Sequence, residues 1–411
     1  MDDRAVLPVL PVHPVPADLE RRPDPYPWLN HLRTEGPVQR IRLRDGSDAW
    51  MVTRHSDVLA AAGDPRLSSD PRRLTAQPGR STRIAGGNAL PSMLTTDAPD
   101  HTRLRRLVSR AFTARRVETL RPRVRDLARE LLDPIVPRGH ADLVAEFAFP
   151  LPVAVICELL GVPFADRAYF SRQSSDLLRP PVDAAAIALA DAARGRLRDY
   201  LADLVASKRT GRADDLLSDL VAAGEEQRLT DEELISMALL LLVAGHETTV
   251  NLIGTGVWLL LQRPAHLEAL RTDPQLLPSA VEEFLRFDGP VMTGVARYTT
   301  TDVEIGGITI AADQIVILST GAANRDPQRF ERPDEVRFDR ADNPHVAFGH
   351  GPHFCLGAAL ARVEAVEGIG AVLRRLPGLT AATAPDSLRW RPSVLRGLQE
   401  LPVTFDPRSA R

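Results

Sequence analysis

FGHGPHFCLGAALAR, residues 348–362, contains Cys355, one of only two cysteines in a chain of 411 residues. Gly351, Pro352, His353 and Phe354 suit a tight loop. Leu356 to Leu376 reads as a helix, with apolar Leu356, Leu360 and Val363 interleaved with Arg362 and Glu364. Cys355 therefore falls at a loop-to-helix junction, where free amide N–H groups and the positive end of the helix dipole face its sulfur. That setting lowers a thiol pKa and favours the thiolate, the form that ligates metal. Gly349, Gly351 and Gly357 remove side chains where a flat group would approach the backbone.

A lone cysteine also serves as buried apolar filler, and that reading stays open on the residue type alone. No CxxC pair or Cys/His cluster with zinc spacing occurs, so a thiolate site here has a single protein ligand. One thiolate is what holds haem iron in monooxygenases. FGHGPHFCLG fills every fixed position of F-G-x-G-x-x-x-C-x-G, and so resembles the haem-thiolate loop of the cytochrome P450 family. Further motifs in the family's order extend the resemblance from about residue 20 to the C-terminus. The resemblance is nearest to soluble bacterial members that tailor antibiotics and related secondary metabolites. It implies a mainly α fold, a large helical domain with a smaller β-rich part. Haem b would lie between a long central helix and the cysteine-loop helix, with Cys355 as the axial ligand and Phe348, Gly349 and Gly357 beside it.

The bulk numbers agree with one large domain. No Gly/Ser linker, repeat or abrupt change of composition divides the chain, and 44% apolar residues supply a sizeable core. A loose arm over residues 1–25 and a single domain over 26–411 are expected, with β-rich parts near 38–53, 291–320 and 386–406. A net charge of −3 argues against nucleic acid as the main partner. Cys157 and Cys355 are too few for a disulfide framework and fit a reducing compartment; Cys157, in PLPVAVICELLGVP, reads as inert core. The N-terminus lacks the basic start and unbroken apolar segment of a signal peptide. No run approaches the roughly 18 apolar residues of a membrane span. A cytoplasmic monomer without a membrane anchor is the expectation.

Along the chain, residues 38–53 read as a β-hairpin around Asp45-Gly46. Residues 72–96 read as a loop that covers the substrate in the family, which makes Met93 and Leu94 pocket candidates. DAPDHTRLRRLVSRAF (97–112) reads as a helix capped by Asp97 with Pro99 in its first turn. His101 and Arg105, four apart, share a face. The resemblance makes them donors to a haem propionate, and Arg106, Arg110, Arg115 and Arg116 a basic face for the redox partner. Residues 115–160 and 183–223 read as amphipathic helices. Pro180-Pro181 breaks the helical pattern between them and suggests a lid.

Thr230 and Glu233 form a capping-box signature. The helix they open reaches about Gln262, where Arg263-Pro264 stops it, roughly 48 Å at 1.5 Å per residue. It is apolar nearly all round, so it must cross the interior. Within it lies AGHETT, residues 244–249. Gly245 costs such a helix about 1 kcal/mol relative to Ala, and a buried Glu247 costs more unless paired or functional. Such violations often mark function. A zinc-protease reading fails because HExxH would need His at position 250, which is Val. AGHETT is similar to the family's A-G-x-[D/E]-T-T. That similarity implies that Thr248 hydrogen-bonds dioxygen and water, that Glu247 relays protons, and that Ala244 and Gly245 leave room for oxygen. His246 has no assigned role.

Glu283 and Arg286, E-x-x-R on a helix over 279–291, match a buried family pair, with Arg340 as the third, bracing member. Residues 295–320 alternate like strands around a Gly306-Gly307 turn. Arg297 and His353 match further propionate donors, which with His101 and Arg105 gives four donors for two carboxylates. Leu240, Val291, Met292, Val295, Val394 and Leu395 are the remaining pocket candidates, and Gly294 is expected to leave space there. The implied activity is hydroxylation or epoxidation of a small organic molecule, such as a macrolide or other polyketide. It would use O2 and electrons from a ferredoxin and ferredoxin reductase. A peroxide-driven peroxygenase and a non-catalytic haem-binding protein are the rival readings; a complete Glu247–Thr248 pair speaks against both.

Overall fold

The computed structural model describes residues 10–44, 46–75, 92–109, 112–177, 184–211, 213–227, 229–391, 393 and 395–407. Its first part holds β1 (Val12–Pro14), α1 (Tyr26–Glu35), β2 (Val38–Arg42), β3 (Asp48–Val52), α2 (His55–Gly63), β4 (Leu67–Ser68) and α3 (Arg72–Thr75). The helical bulk follows: α4 (Asp100–Ser109), α5 (Ala114–Leu132), the short strand β5 (His140–Asp142), α6 (Pro150–Leu160), α7 (Arg167–Leu177), α8 (Ala184–Thr210), α9 (Leu216–Gln227), α10 (Asp231–Leu261), α11 (Pro264–Thr272) and α12 (Leu277–Asp288). Then come β6 (Val295–Thr299), β7 (Val303–Ile305), β8 (Ile308–Ile310), β9 (Ile315–Leu318), α13 (Thr320–Asn324), α14 (Ala358–Arg375), β10 (Thr380–Ala381) and β11 (Pro402–Thr404).

Helix α10 forms where its pattern places it. The Thr230 side chain accepts the Glu233 N–H, and the Glu233 carboxylate accepts the Thr230 N–H, so the capping box is complete. At 31 residues it is long and apolar enough to cross a membrane by length and composition. It is instead the core of the helical part, packed by α6, α8, α12 and α14. Buried Leu234, Met237, Leu242, Leu252, Ile253, Val257 and Leu260 lie on several sides of it. At about 25 cal/mol per Å² of apolar area removed from water, each of these side chains adds to the hydrophobic stabilisation.

Six strands form one sheet in the order β1-β2-β3-β9-β6-β4. Strand β3 runs parallel to β9, with Trp50 beside Val316 and Val52 beside Leu318. The period-2 alternation sorts the sheet's apolar residues to its two faces. Ala49, Met51 and Ile315 pack with Leu29 and Leu32 of α1. Val52, Val316 and Leu318 pack with Val58 and Ala61 of α2. The expected hairpins form at β2–β3 and at β7–β8, the latter turning at Gly306 and Gly307, both at positive φ.

Several boundaries differ from the sequence reading. Part of the expected loose arm is fixed: β1 pairs with β2, and Leu19 is fully buried. Its apolar side chains find the sheet face that a polar, proline-rich composition hides. The stretch 115–160 is not continuous helix; β5 and a π-helical turn at Val144–Ala148 interrupt it. Asp97 does not cap α4 through its side chain. Its carboxylate accepts from the Ser69 N–H at 2.8 Å and from the Ser68 hydroxyl, while its backbone carbonyl takes the His101 N–H. Pro180-Pro181, Arg110, Asp45 and most of the 72–96 loop lie outside the described residues.

Both ends of the described chain meet at Arg396, which is 1% exposed. Its guanidinium donates to Asp288 Oδ1 at 2.6 Å, to the Arg22 carbonyl at 2.9 Å and to the Pro23 carbonyl at 2.8 Å, and lies 3.6 Å from the Trp390 ring centroid. Tyr26 donates to the same Asp288 oxygen at 2.9 Å.

Candidate functional site

The Cys355 loop is closed by its own backbone. The Cys355 N–H donates to the Phe348 carbonyl at 2.8 Å, and Phe354 N–H to the Gly351 carbonyl at 3.0 Å. Gly357 caps α14. The loop is held from behind by α12. Arg286 and Glu283, both fully buried, form a bidentate pair at 2.8 Å. Arg286 also donates to the carbonyls of Asn324, Pro333 and Glu335, between 2.8 and 3.0 Å. Glu283 receives the Arg337 N–H at 2.9 Å, Asn343 Nδ2 at 3.2 Å and Arg340 Nε at 3.3 Å. The expected third member, Arg340, is thus in place, and the Glu283–Arg286 pair fastens the segment leading into the loop at several points.

Cys355, Phe348, Gly349 and Gly357 line a cavity of about 300 Å³. Ala244, Gly245 and Thr248 of α10 form its opposite wall, and Arg105, Arg297 and His353 line it too. Cys355 is exposed and lines this cavity. Burial pushes its thiol pKa up, and the Gly357 N–H, Arg105 and Arg362 pull the other way without prevailing. The expected lowering is therefore not found in the protein alone, because desolvation outweighs the amide donor and the distant charges. Cys157 is fully buried, its thiol pushed up to about 12 by desolvation, as inert core should be.

The four expected propionate donors converge at one edge of the cavity. The His101 and His353 rings lie 4.1 Å apart. His353 Nε2 is 2.9 Å from Ser69 Oγ, and Arg297 donates to the Ala296 carbonyl at 2.9 Å. Burial, then Arg297 and His101, push His353 down to about 4. Burial followed by Arg105 lowers His101, and burial lowers Arg297. His101 Nε2 is buried without a hydrogen-bond partner among the described residues. Positive and donor groups crowded against each other in this way fit a dianionic group between them. An open space beside Gly357 and a thiol opposite α10 fit a flat, iron-bearing group above the sulfur. The residues present therefore match haem.

On α10, Thr248 faces the cavity and its hydroxyl donates to the Ala244 carbonyl at 3.0 Å. Glu247 points elsewhere. It is 1% exposed and ion-paired with Arg391, whose side chain is 21% exposed. Glu247 Oε2 has no hydrogen-bond partner among the described residues. Sequence reading missed Arg391. The signal is a buried carboxylate that requires a cation, but nothing in RWRPSVLRG sets Arg391 apart from Arg389 and Arg396. His246 donates through Nδ1 to the Leu242 carbonyl at 2.7 Å, and its Nε2 lies 3.8 Å from Glu247. Burial lowers its pKa, so the ring is neutral and its Nε2 is an acceptor.

Of the pocket candidates, Met93, Leu94, Leu240, Val291 and Val295 line the cavity. Met292 does not; it is 1% exposed and packs in the sheet core with Leu19 and Tyr298. Leu395 lies outside the lining, and Val394 falls outside the described residues. Phe112, Leu241, Thr249 and Thr320 were missed. Three glycine readings change. A Cβ on Gly245 would lie 2.9 Å from Ile156 Cδ1, so its missing side chain admits α6. Gly294, at φ +111°, lets β6 lie on the Leu318 carbonyl and leaves no cavity space. A Cβ on Gly351 would lie 2.7 Å from the Ala62 carbonyl, so that glycine seats the loop on α2.

The family model described as Cytochrome P450 matches residues 185–389. The chain is 50% identical over 382 residues to "Cytochrome P450 107B1" of Saccharopolyspora erythraea, covering 90% of this chain and 92% of that one. It is 45% identical over 380 residues to the "Mycinamicin IV hydroxylase/epoxidase" of Micromonospora griseorubida, covering 91% and 94%. A crystal structure of the putative thioether synthase SgvP, involved in the tailoring step of griseoviridin, superposes with a TM-score of 0.88 at 44% identity, over 96% of this chain and 100% of that one.

Proposed function

The chain belongs to the cytochrome P450 family and is a monooxygenase, and on that premise we propose that it hydroxylates or epoxidises a macrolide or related polyketide-derived metabolite. The observation that carries this reading is the shared cavity of Cys355 and Thr248, with Arg105, Arg297 and His353 at one edge. Haem b, when bound, supplies the iron that activates dioxygen and transfers one oxygen atom to the substrate. Cys355 would ligate that iron; His101, Arg105, Arg297 and His353 would hold the propionates; Phe348, Gly349, Gly357, Ala244 and Gly245 would border the ring.

The chain's own residues divide the remaining work. Met93, Leu94, Leu240, Val291 and Val295 give the substrate an aliphatic wall that excludes water and favours apolar carbon frameworks. Thr248 uses its hydroxyl proton on the Ala244 carbonyl, which leaves its oxygen lone pairs directed toward the cavity as acceptors. Glu247, next to it, holds the proton supply. Arg391 engages Glu247 Oε1, which leaves the unengaged Oε2 as the atom that passes the proton. Glu283, Arg286 and Arg340 fix the loop that carries Cys355. Electrons come from a separate ferredoxin and its reductase, docking where Arg106 and Arg115 are exposed; Arg116 is partly committed to Asp219 at 2.5 Å. The enzyme works as a cytoplasmic monomer.

The test is a spectral-shift screen of macrolides, other polyketides and peptides against the ferric protein, followed by turnover of each hit with NADPH, ferredoxin and reductase. A polyketide-derived ligand should displace water from the iron and yield an oxygenated product. Shifts only with unrelated ligand classes would reject the substrate assignment. Thr248→Ala should lower product per NADPH several-fold and release peroxide; unchanged coupling would remove Thr248 from this scheme.

A further inference from the structure

Far from the cavity, His13 on β1 meets His31 and Glu35 on α1. His31 and Glu35 stand one helical turn apart, so both project from the same side of α1, toward the edge strand that carries His13. His13 Nε2 lies 2.9 Å from Glu35 Oε2, and His31 Nε2 lies 3.0 Å from Glu35 Oε1. One ligand atom from each of the three residues falls within 4.8 Å of the others. The imidazole rings are 6.0 Å apart and nearly perpendicular, at 84°. His13 Nε2 is buried and, although close to the carboxylate, makes no hydrogen bond among the described residues. A nitrogen this close to an oxygen, but not aligned with it, is the arrangement of two ligands aimed at a common centre.

From this geometry we infer a divalent transition-metal site of His13, His31 and Glu35. Two imidazoles and one carboxylate are the donor set of borderline cations such as Zn2+, Ni2+ and Co2+. Bonds of about 2.0–2.1 Å to a tetrahedral ion place neighbouring ligand atoms about 3.3 Å apart. The two contacts of 2.9 and 3.0 Å need only small side-chain shifts to reach that spacing. The site is open on one side, where the His31 side chain is 59% exposed, so water completes the coordination. A bound ion would clamp the short edge strand β1 to α1. The competing arrangement is a carboxylate that pairs with two imidazoles and takes no ion.

The experiment uses the haem-loaded protein and Zn2+ alone. After equilibration and gel filtration, elemental analysis should give about one zinc per iron. Competition with a chromogenic chelator should give one site of micromolar Kd. His31→Ala and Glu35→Gln, both at exposed positions, should each weaken zinc at least about tenfold while leaving the haem spectrum unchanged. Zinc should also slow hydrogen exchange of the Val12 and His13 amides in the wild type and not in the variants. Sub-stoichiometric zinc, or equal affinity in wild type, His31→Ala and Glu35→Gln, overturns the site and leaves the ion pair alone.

Discussion

At the scale of single residues, Glu247 depends on Arg391. Replacing Arg391 by Ala leaves a carboxylate that is 1% exposed without its counter-ion. Breaking a buried pair from one side costs about 3 kcal/mol or more. Arg391→Ala should therefore shift the denaturant midpoint well below wild type, and also lower product per NADPH. Arg391→Lys keeps the charge and should recover most of the stability. Equal midpoints for all three proteins would show that Glu247 is held by something else. The sequence made Glu247 legible because a lone acid inside an apolar helix is conspicuous. It did not make Arg391 legible, because its distance of 144 residues along the chain is bridged only by tertiary structure. Cys355 shows the converse limit. Its place at a helix start was readable, but the balance between amide donors and desolvation depends on how deeply the loop sits, which no local pattern records.

Between elements, α12 and α14 are fastened by Glu282. Its carboxylate takes Arg362 at 2.7 and 2.8 Å and His345 at 3.0 Å. Burial alone would raise its pKa, but these partners outweigh burial and bring it to about 2 from 4.5. A carboxylate held low in the folded state binds its proton more readily when unfolded. Its contribution, about 2–3 kcal/mol, is therefore complete above about pH 4.5 and is lost as pH falls toward 2. Glu282→Gln should be less stable than wild type at neutral pH, and the two should converge in acid. A constant gap across that window would exclude the linkage. At the start of β6, Gly294→Ala forces a side chain onto the Leu318 carbonyl at a backbone φ of +111°. It should cost more than about 2 kcal/mol by thermal or denaturant unfolding. The strands around Gly306-Gly307 and helix α10 were readable from turn chemistry, period and caps. The role of Gly294 was not, because a missing side chain looks the same beside a cavity and beside a strand.

For the molecule as a whole, the small β-rich part and the helical core around α10 could be expected from composition and period. The joining of distant segments could not. Arg396 is the clearest case, since its partners come from residues 20–23 and from Asp288. Arg396→Ala should cost about 3–5 kcal/mol, since it strands Asp288 and leaves buried carbonyls unpaired. Arg396→Lys should recover only part, because an ammonium cannot span Asp288 and the carbonyls as a fork does. Denaturant midpoints of the three proteins check both statements. The same clasp sets an order of events during synthesis. A nascent chain still lacking residue 396 has no guanidinium for Asp288 or for the Arg22 and Pro23 carbonyls, so those two segments stay unclasped on the ribosome until residue 396 has been made.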